Sequence, residues 1–120
     1  MKKILVIDDD ELVLKSVDKV LKREGYEITL AQNAQEAIEK AQKEQFDIII
    51  SDIRMPGKNG VETIREIRNL FDKEVRKNIP IIFITAYAEM NDQLKAEHLG
   101  EVILKPFDIN QLIMTIREYL

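Results

Sequence analysis

Asp8, Asp9, Asp52, Thr85 and Lys105 each follow or end a short apolar run, and together they could hold a divalent cation and a phosphoryl group. Ile4-Leu5-Val6-Ile7 runs into Asp8-Asp9-Asp10, and Ile48-Ile49-Ile50-Ser51 runs into Asp52. Ile81-Ile82-Phe83-Ile84 ends at Thr85, and Val102-Ile103-Leu104 ends at Lys105-Pro106. Asp8, Asp9 and Asp52, brought to one place, would repel strongly unless a cation neutralised them. Their all-oxygen donor set suits a hard ion such as Mg2+ rather than zinc. Thr85 adds a hydroxyl donor and Lys105 a compact positive charge, both suited to phosphoryl oxygens. Phosphoryl transfer asks mainly for positioning and charge neutralisation, and this set supplies both. No general base is evident, and none is needed if the acceptor is an already ionised carboxylate.

The elements that must position these residues follow from the spacing of apolar side chains. The apolar runs, rich in β-branched residues, suit strands buried on both faces of a parallel sheet. Their last residues would then gather along one edge, where open α/β sheets place their ligands. After the first run, Val13, Val17, Val20 and Leu21 form a stripe at helical spacing, ended by Gly25. Glu27 to Ala31 reads as a more polar strand at a sheet edge. Asn33 with Glu36 has the form of a capping box, opening a helix with Ala34, Ala37, Ile38 and Ala41 inward. The loop Arg54-Met55-Pro56-Gly57-Lys58-Asn59-Gly60 is rich in turn formers. Ile64, Ile67 and Phe71 mark a third helix, and the polar stretch Asp72 to Asn78 leads to Pro80 and the next strand. Glu89 to Leu99 predicts a weaker helix that stops at Gly100. Asp108 caps a last helix through Leu112, Ile113, Ile116 and Leu120. The sum is a doubly wound α/β fold, (βα)5 and flavodoxin-like, with five parallel strands in the order 2-1-3-4-5.

Composition narrows the function classes. The 120 residues fit a single domain spanning 1–120 with a real core. The net charge of -4 argues against direct nucleic-acid binding, which is usually met with a basic face. The absence of cysteine excludes disulfides and thiolate metal sites. Met1-Lys2-Lys3 followed by Ile4 to Ile7 is too short for a signal peptide or a membrane span, so a cytoplasmic protein without membrane attachment is expected.

The chain resembles the receiver domain of two-component response regulators. The residues that carry the resemblance are Asp8-Asp9, Ser51-Asp52-Ile53-Arg54-Met55-Pro56-Gly57, Asn59-Gly60, Thr85-Ala86 and Lys105-Pro106-Phe107. They occur in order along essentially the whole chain, and jointly they are highly specific. The resemblance implies that Asp52 accepts a phosphoryl group from a phosphohistidine on a sensor histidine kinase or histidine phosphotransfer protein. It also implies that Asp9 binds Mg2+ directly, Asp8 mostly through water, and the backbone carbonyl of Arg54 as a further ligand beside Asp52. Thr85 and Lys105 would hold the phosphoryl oxygens, Ala86 would keep the approach open, and the Lys105–Pro106 peptide would be cis. The phosphorylated domain would then act on a downstream output domain or protein, as a monomer or a phosphorylation-dependent dimer.

Val102, the approach to Lys105, Arg54 and Tyr87 depart from the family pattern or vary within it. Val102 stands where many receivers carry an aromatic residue, and the segment from Gly100 to Lys105 is shorter than usual. Arg54 and Tyr87 occupy variable places that influence phosphoryl lifetime in the family, and both are large enough to shield Asp52 from water. Slow self-dephosphorylation is expected.

Rival readings use the same residues differently. Asp8-x-Asp10 after a first strand is also the arrangement of haloacid-dehalogenase-type phosphatases, in which Asp8 would be the nucleophile and Asp52 only metal support. A pseudo-receiver serving as an interaction module without phosphorylation is a third reading, opposed by the completeness of the site. Asp10 reads as a helix cap, His98 as a surface residue, and Met55, Met90 and Phe107 as packing or loop anchors. Leu12 lies off the apolar stripe, as an incidental exposed leucine or as part of a docking surface for the phosphodonor helix.

Overall fold

The computed structural model describes residues 1–70, 79–86 and 90–120. Phe71, the stretch Asp72 to Asn78, Tyr87 and Glu89 lie outside the described residues, as does the side chain of Met90. The strands are β1 (Lys3–Ile7), β2 (Glu27–Ala31), β3 (Ile48–Asp52), β4 (Ile81–Thr85) and β5 (Glu101–Leu104). The helices are α1 (Glu11–Arg23), α2 (Ala34–Lys43), α3 (Gly60–Asn69), α4 (Met90–Leu99) and α5 (Ile109–Tyr119). All strand pairs are parallel, as the alternation of strand and helix predicts, and their order is the expected β2-β1-β3-β4-β5. No helix among the described residues is long and apolar enough to cross a membrane.

Side-chain alternation along the strands divides the core in two. Leu5, Ile7, Ile49, Ile81 and Phe83 pack with Ala37 and Ala41 of α2, Val61, Ile64 and Ile67 of α3, and Ala96 of α4. Ile4, Val6, Ile48, Ile50, Ile82 and Ile84 pack on the other face with Leu14, Val17 and Leu21 of α1 and Leu112, Ile113 and Ile116 of α5. Helices therefore cover both faces, and β1, β3 and β4 are buried almost along their whole length.

Burial on both faces does not extend to the fifth strand. Only Ile103 of β5 is buried, Val102 is half-buried, and Leu104 is 57% exposed. The reason is position: β5 is a sheet edge with β4 as its single strand neighbour. The polar character of β2 is likewise that of the opposite edge. The stripe on α1 is also displaced from its expected centre. Leu14, Val17 and Leu21 face the sheet, while Val13 and Val20 sit at the border of the cluster and are only partly buried. Three- and four-residue steps from Leu14 keep that row over the strands.

Local signals set the helix ends. Asp10 accepts from the Leu12 N–H at 2.9 Å and Asp108 from the Asn110 N–H at 2.8 Å, each capping its helix. Asn33 accepts from the Glu36 N–H as expected, but the Glu36 carboxylate bonds the N–H of Gln32, one residue before the cap. The reciprocal capping box forms instead at α3, between Asn59 and Glu62. Gly25 closes α1 with φ +92, a backbone conformation in which a Cβ would be strained.

One close approach connects the fold to the site. A Cβ on Gly60 would lie 1.9 Å from the Asp52 carbonyl oxygen and 2.9 Å from its carbon. The first residue of α3 must therefore be glycine for the helix to seat on the end of β3. Gly60→Ala is expected to destabilise the protein by roughly 2–3 kcal/mol, because the clash is with backbone on both sides. Urea unfolding measures it, and a variant as stable as the parent would mean that α3 shifts without cost.

Candidate functional site

Parallel register brings the expected residues to one edge. Ile7 lies opposite Ser51, so Asp8 and Asp52 follow side by side on neighbouring strands. Asp52 in turn is opposite Ile84, and Thr85 is opposite Leu104, which places Lys105 one step beyond Thr85. The Lys105 N–H donates to the Thr85 carbonyl at 2.8 Å, extending that pairing past the end of β5. The Lys105–Pro106 peptide is cis.

Asp8, Asp9 and Asp52 each present a carboxylate oxygen, and these oxygens all lie within 4.8 Å of one another. Asp8 is fully buried, Asp52 is 6% exposed, and Asp9 is exposed. The Lys105 ammonium reaches into this group, 2.9 Å from Asp8 Oδ2 and 3.2 Å from Asp52 Oδ2. Backbone donors hold the other oxygens. The Asp10 N–H donates to Asp8 Oδ1 at 2.9 Å, and the Arg54 N–H donates to Asp52 Oδ1 at 3.3 Å. Thr85 is fully buried at the end of β4, Ala86 beside it is exposed, and Arg54 is exposed. Tyr87 lies outside the described residues. Val102 is half-buried in β5, opposite Phe83.

The electrostatics follow from burial. Loss of water is the largest influence on Asp8 and raises its pKa above the ordinary carboxylate value. The Asp10 N–H and Lys105 oppose that rise, and the charge of Asp52 adds to it. For Lys105, burial alone would lower the pKa, but the hydrogen bond to Asp8 and the charges of Asp52 and Asp8 outweigh it, so the net shift is upward. The ammonium therefore stays charged at neutral pH. Ionised, the three carboxylates of Asp8, Asp9 and Asp52 outnumber the single Lys105 ammonium that contacts the cluster. An all-oxygen acidic cluster of this kind fits a hard divalent cation.

Two features near the site were not read from the sequence as functional. Ser51 and Gly60 both touch the Asp52 carbonyl, the one by hydrogen bond at 2.8 Å and the other by close approach. The box Asn59-x-x-Glu62, not singled out in the sequence, marks where α3 begins beside Asp52. Away from the acidic cluster, Leu12 is 75% exposed at the lip of an apolar groove with Val13, Val17, Val20, Phe107 and Ile109. His98 is exposed, as expected for a surface residue.

Comparison with known proteins agrees with this geometry. The family model described as the response regulator receiver domain matches residues 4–117. Sporulation initiation phosphotransferase F of Bacillus subtilis is 31% identical over 98% of this chain and 93% of its own length. The transcriptional regulatory protein ZraR of Klebsiella oxytoca is 34% identical over 98% of this chain but only 26% of its own length. The chain spans 48% of another such relative, ResD of Bacillus subtilis. Among solved structures, a CheY-like receiver domain protein from Methanospirillum hungatei superimposes with a TM-score of 0.89 at 31% identity, covering 98% of this chain and 92% of that one. The response regulator TrrA of Thermotoga maritima, solved in complex with Mg(2+)-BeF, gives a TM-score of 0.85 at 35% identity over 100% of both chains.

The raised Asp8 pKa has a consequence for stability. The folded state holds a proton on Asp8 more readily than the unfolded chain does, so ionised Asp8 costs stability. That cost is absent below the ordinary carboxylate pKa and complete above the raised one. Asp8→Asn is expected to raise the stability of the metal-free protein at pH 7. Thermal melting in a chelator measures it, and a lower melting temperature in the variant would mean that the Lys105 pair outweighs the burial.

Proposed function

The chain belongs to the receiver-domain family of two-component response regulators, and we propose that Asp52 is its phosphoacceptor. A receiver domain is a signalling domain rather than a classical enzyme. The chemistry assigned to this one is limited to assisting its own phosphorylation and dephosphorylation. The observation that carries the reading is the Lys105 ammonium set between Asp8 and Asp52, with a third carboxylate from Asp9 in the same cluster.

In this reading an Asp52 carboxylate oxygen attacks phosphorus, the bond from phosphorus to the donor's histidine nitrogen breaks, and its electron pair stays on the imidazole. The donor is a sensor histidine kinase or a histidine phosphotransfer protein. The Arg54 N–H on Asp52 Oδ1 orients the attacking carboxylate. Lys105 and the Thr85 hydroxyl receive the phosphoryl oxygens, and the small Ala86 leaves the approach open. Asp8, Asp9, Asp52 and the Arg54 carbonyl would hold Mg2+, which when bound supplies positive charge to the phosphoryl oxygens. The family likeness and the all-oxygen cluster support that ion, and TrrA, solved with Mg(2+)-BeF, is a relative in which it occurs.

The phosphatase reading is not favoured. It needs Asp10 free to act beside Asp8, whereas the Asp10 side chain caps α1 by accepting from Leu12. We further propose that residues 1–120 form one receiver unit working in the cytoplasm. It would signal to a downstream output domain or protein, as a monomer or a phosphorylation-dependent dimer. The net charge of -4 supports leaving nucleic-acid contact to a separate output.

Acetyl phosphate with Mg2+ tests the assignment without a cognate kinase. Intact-mass and peptide analysis should place the label on Asp52, chelation should abolish it, and Asp52→Ala should carry none. Label on Asp8 would establish the phosphatase chemistry instead, and no label on the parent protein would establish a pseudo-receiver. Once labelled, the protein should lose phosphate slowly, because Arg54 and Tyr87 are bulky residues two positions after the acceptor and the threonine in the sequence. Arg54→Ala and Tyr87→Ala should each shorten the lifetime by about threefold or more. Phosphate release follows it, and unchanged lifetimes in both variants would remove the shielding role.

A further inference from the structure

Ser51 is a polar residue in a run that is otherwise isoleucine, and it is fully buried. It lies two residues beyond Ile49, so it faces the side of the sheet covered by α2 and α3. A larger apolar side chain at such a place would bury more surface, and an unpartnered hydroxyl there would be costly. The Ser51 hydroxyl is not unpartnered: Oγ donates to the main-chain carbonyl of Asp52 at 2.8 Å.

That carbonyl is confined a second time. The Cα of Gly60 packs so closely that a Cβ would lie 1.9 Å from the same oxygen, and the Gly60 N–H donates to the Ile53 carbonyl at 2.7 Å. Because the peptide unit is planar, holding the Asp52 oxygen also holds the direction in which Ile53 and Arg54 leave the strand. The Arg54 N–H is the donor on Asp52 Oδ1. A rotation of the plane after Asp52 would carry that donor away from the carboxylate it orients.

We infer that Ser51 is a positioning residue for the phosphorylation of Asp52, its hydroxyl holding the peptide plane that follows the acceptor so that the carboxylate is aimed for attack. The inference rests on Asp52 being the acceptor. Its effect is on how often the bound donor meets a correctly directed oxygen, so it belongs to the maximal rate rather than to donor binding.

The test compares the parent protein with Ser51→Ala, Ser51→Thr and Ser51→Cys, using acetyl phosphate and Mg2+. Maximal rate and half-saturating acetyl phosphate concentration are read from intact-mass time courses. Ser51→Ala should lower the maximal rate about five- to tenfold with half-saturation unchanged. Ser51→Thr keeps the hydroxyl and should recover most of the rate. Ser51→Cys, close to serine in volume but a weak donor, should be slow like the alanine variant, and it serves if the extra methyl of threonine prevents folding. An alanine or cysteine variant at the parent's rate would overturn the inference. So would a folded threonine variant as slow as alanine, which assigns the effect to packing. Label on Asp52 of the parent with no loss in Ser51→Ala removes only the role of Ser51. Absence of label on the parent removes the phosphoacceptor reading, and this inference with it.

Discussion

Asp8 and Asp52 are two carboxylates shut almost wholly away from water, and the Lys105 ammonium within 3.2 Å of both is what makes their closeness tolerable. Removing charge from water is expensive, and two like charges side by side add repulsion. Lysine offsets part of this and backbone N–H groups from Asp10 and Arg54 offset more, yet the Asp8 pKa is still raised. The site is therefore held in a state that further positive charge would relieve. A divalent cation in this acidic cluster is one source of such charge.

The rest of the fold is arranged around that constraint. β1 and β3 are adjacent at the point where the strand order reverses, so their ends deliver Asp8 and Asp52 to the same place. Both strands are packed from two faces by helices, which leaves little freedom at the carboxylates. Gly60 lets α3 sit directly on the backbone of Asp52, and Asp10 anchors the start of α1 one residue after Asp9.

Lys105 comes from a less buried part of the sheet. It follows β5, an edge strand in which only Ile103 is buried. The ammonium that balances the two carboxylates is thus carried by the most exposed strand end of the site. A receiver signals by shifting between conformations. Here Lys105, in contact with both Asp8 and Asp52, is joined to an edge strand in which Val102 is half-buried opposite Phe83.

The types of residue at the strand ends, and the alternation of strand with helix, were legible without coordinates. Local chemistry decides them: β-branched runs make strands, 3.6-residue stripes make helices, and a carboxylate after a buried run needs a partner. The expectation that Asp8, Asp9, Asp52, Thr85 and Lys105 share one sheet edge followed from that pattern once the strand order 2-1-3-4-5 was supposed. Other features depended on what lies next to what. The exposure of β5 comes from having one strand neighbour, and the choice of Leu14 over Val13 and Val20 comes from how α1 rotates over the sheet. The pairing of Glu36 with Gln32 rather than with its cap depends on how the chain enters α2. Ser51 and Gly60 carry no chemical signature of their own, and only the packing of α3 on β3 brings both to the Asp52 carbonyl. Sequence by itself determined which groups are able to react, because that chemistry resides in the side chains. Tertiary structure decided how each is aimed and balanced, because angles, burial and charge separations exist only between segments distant along the chain.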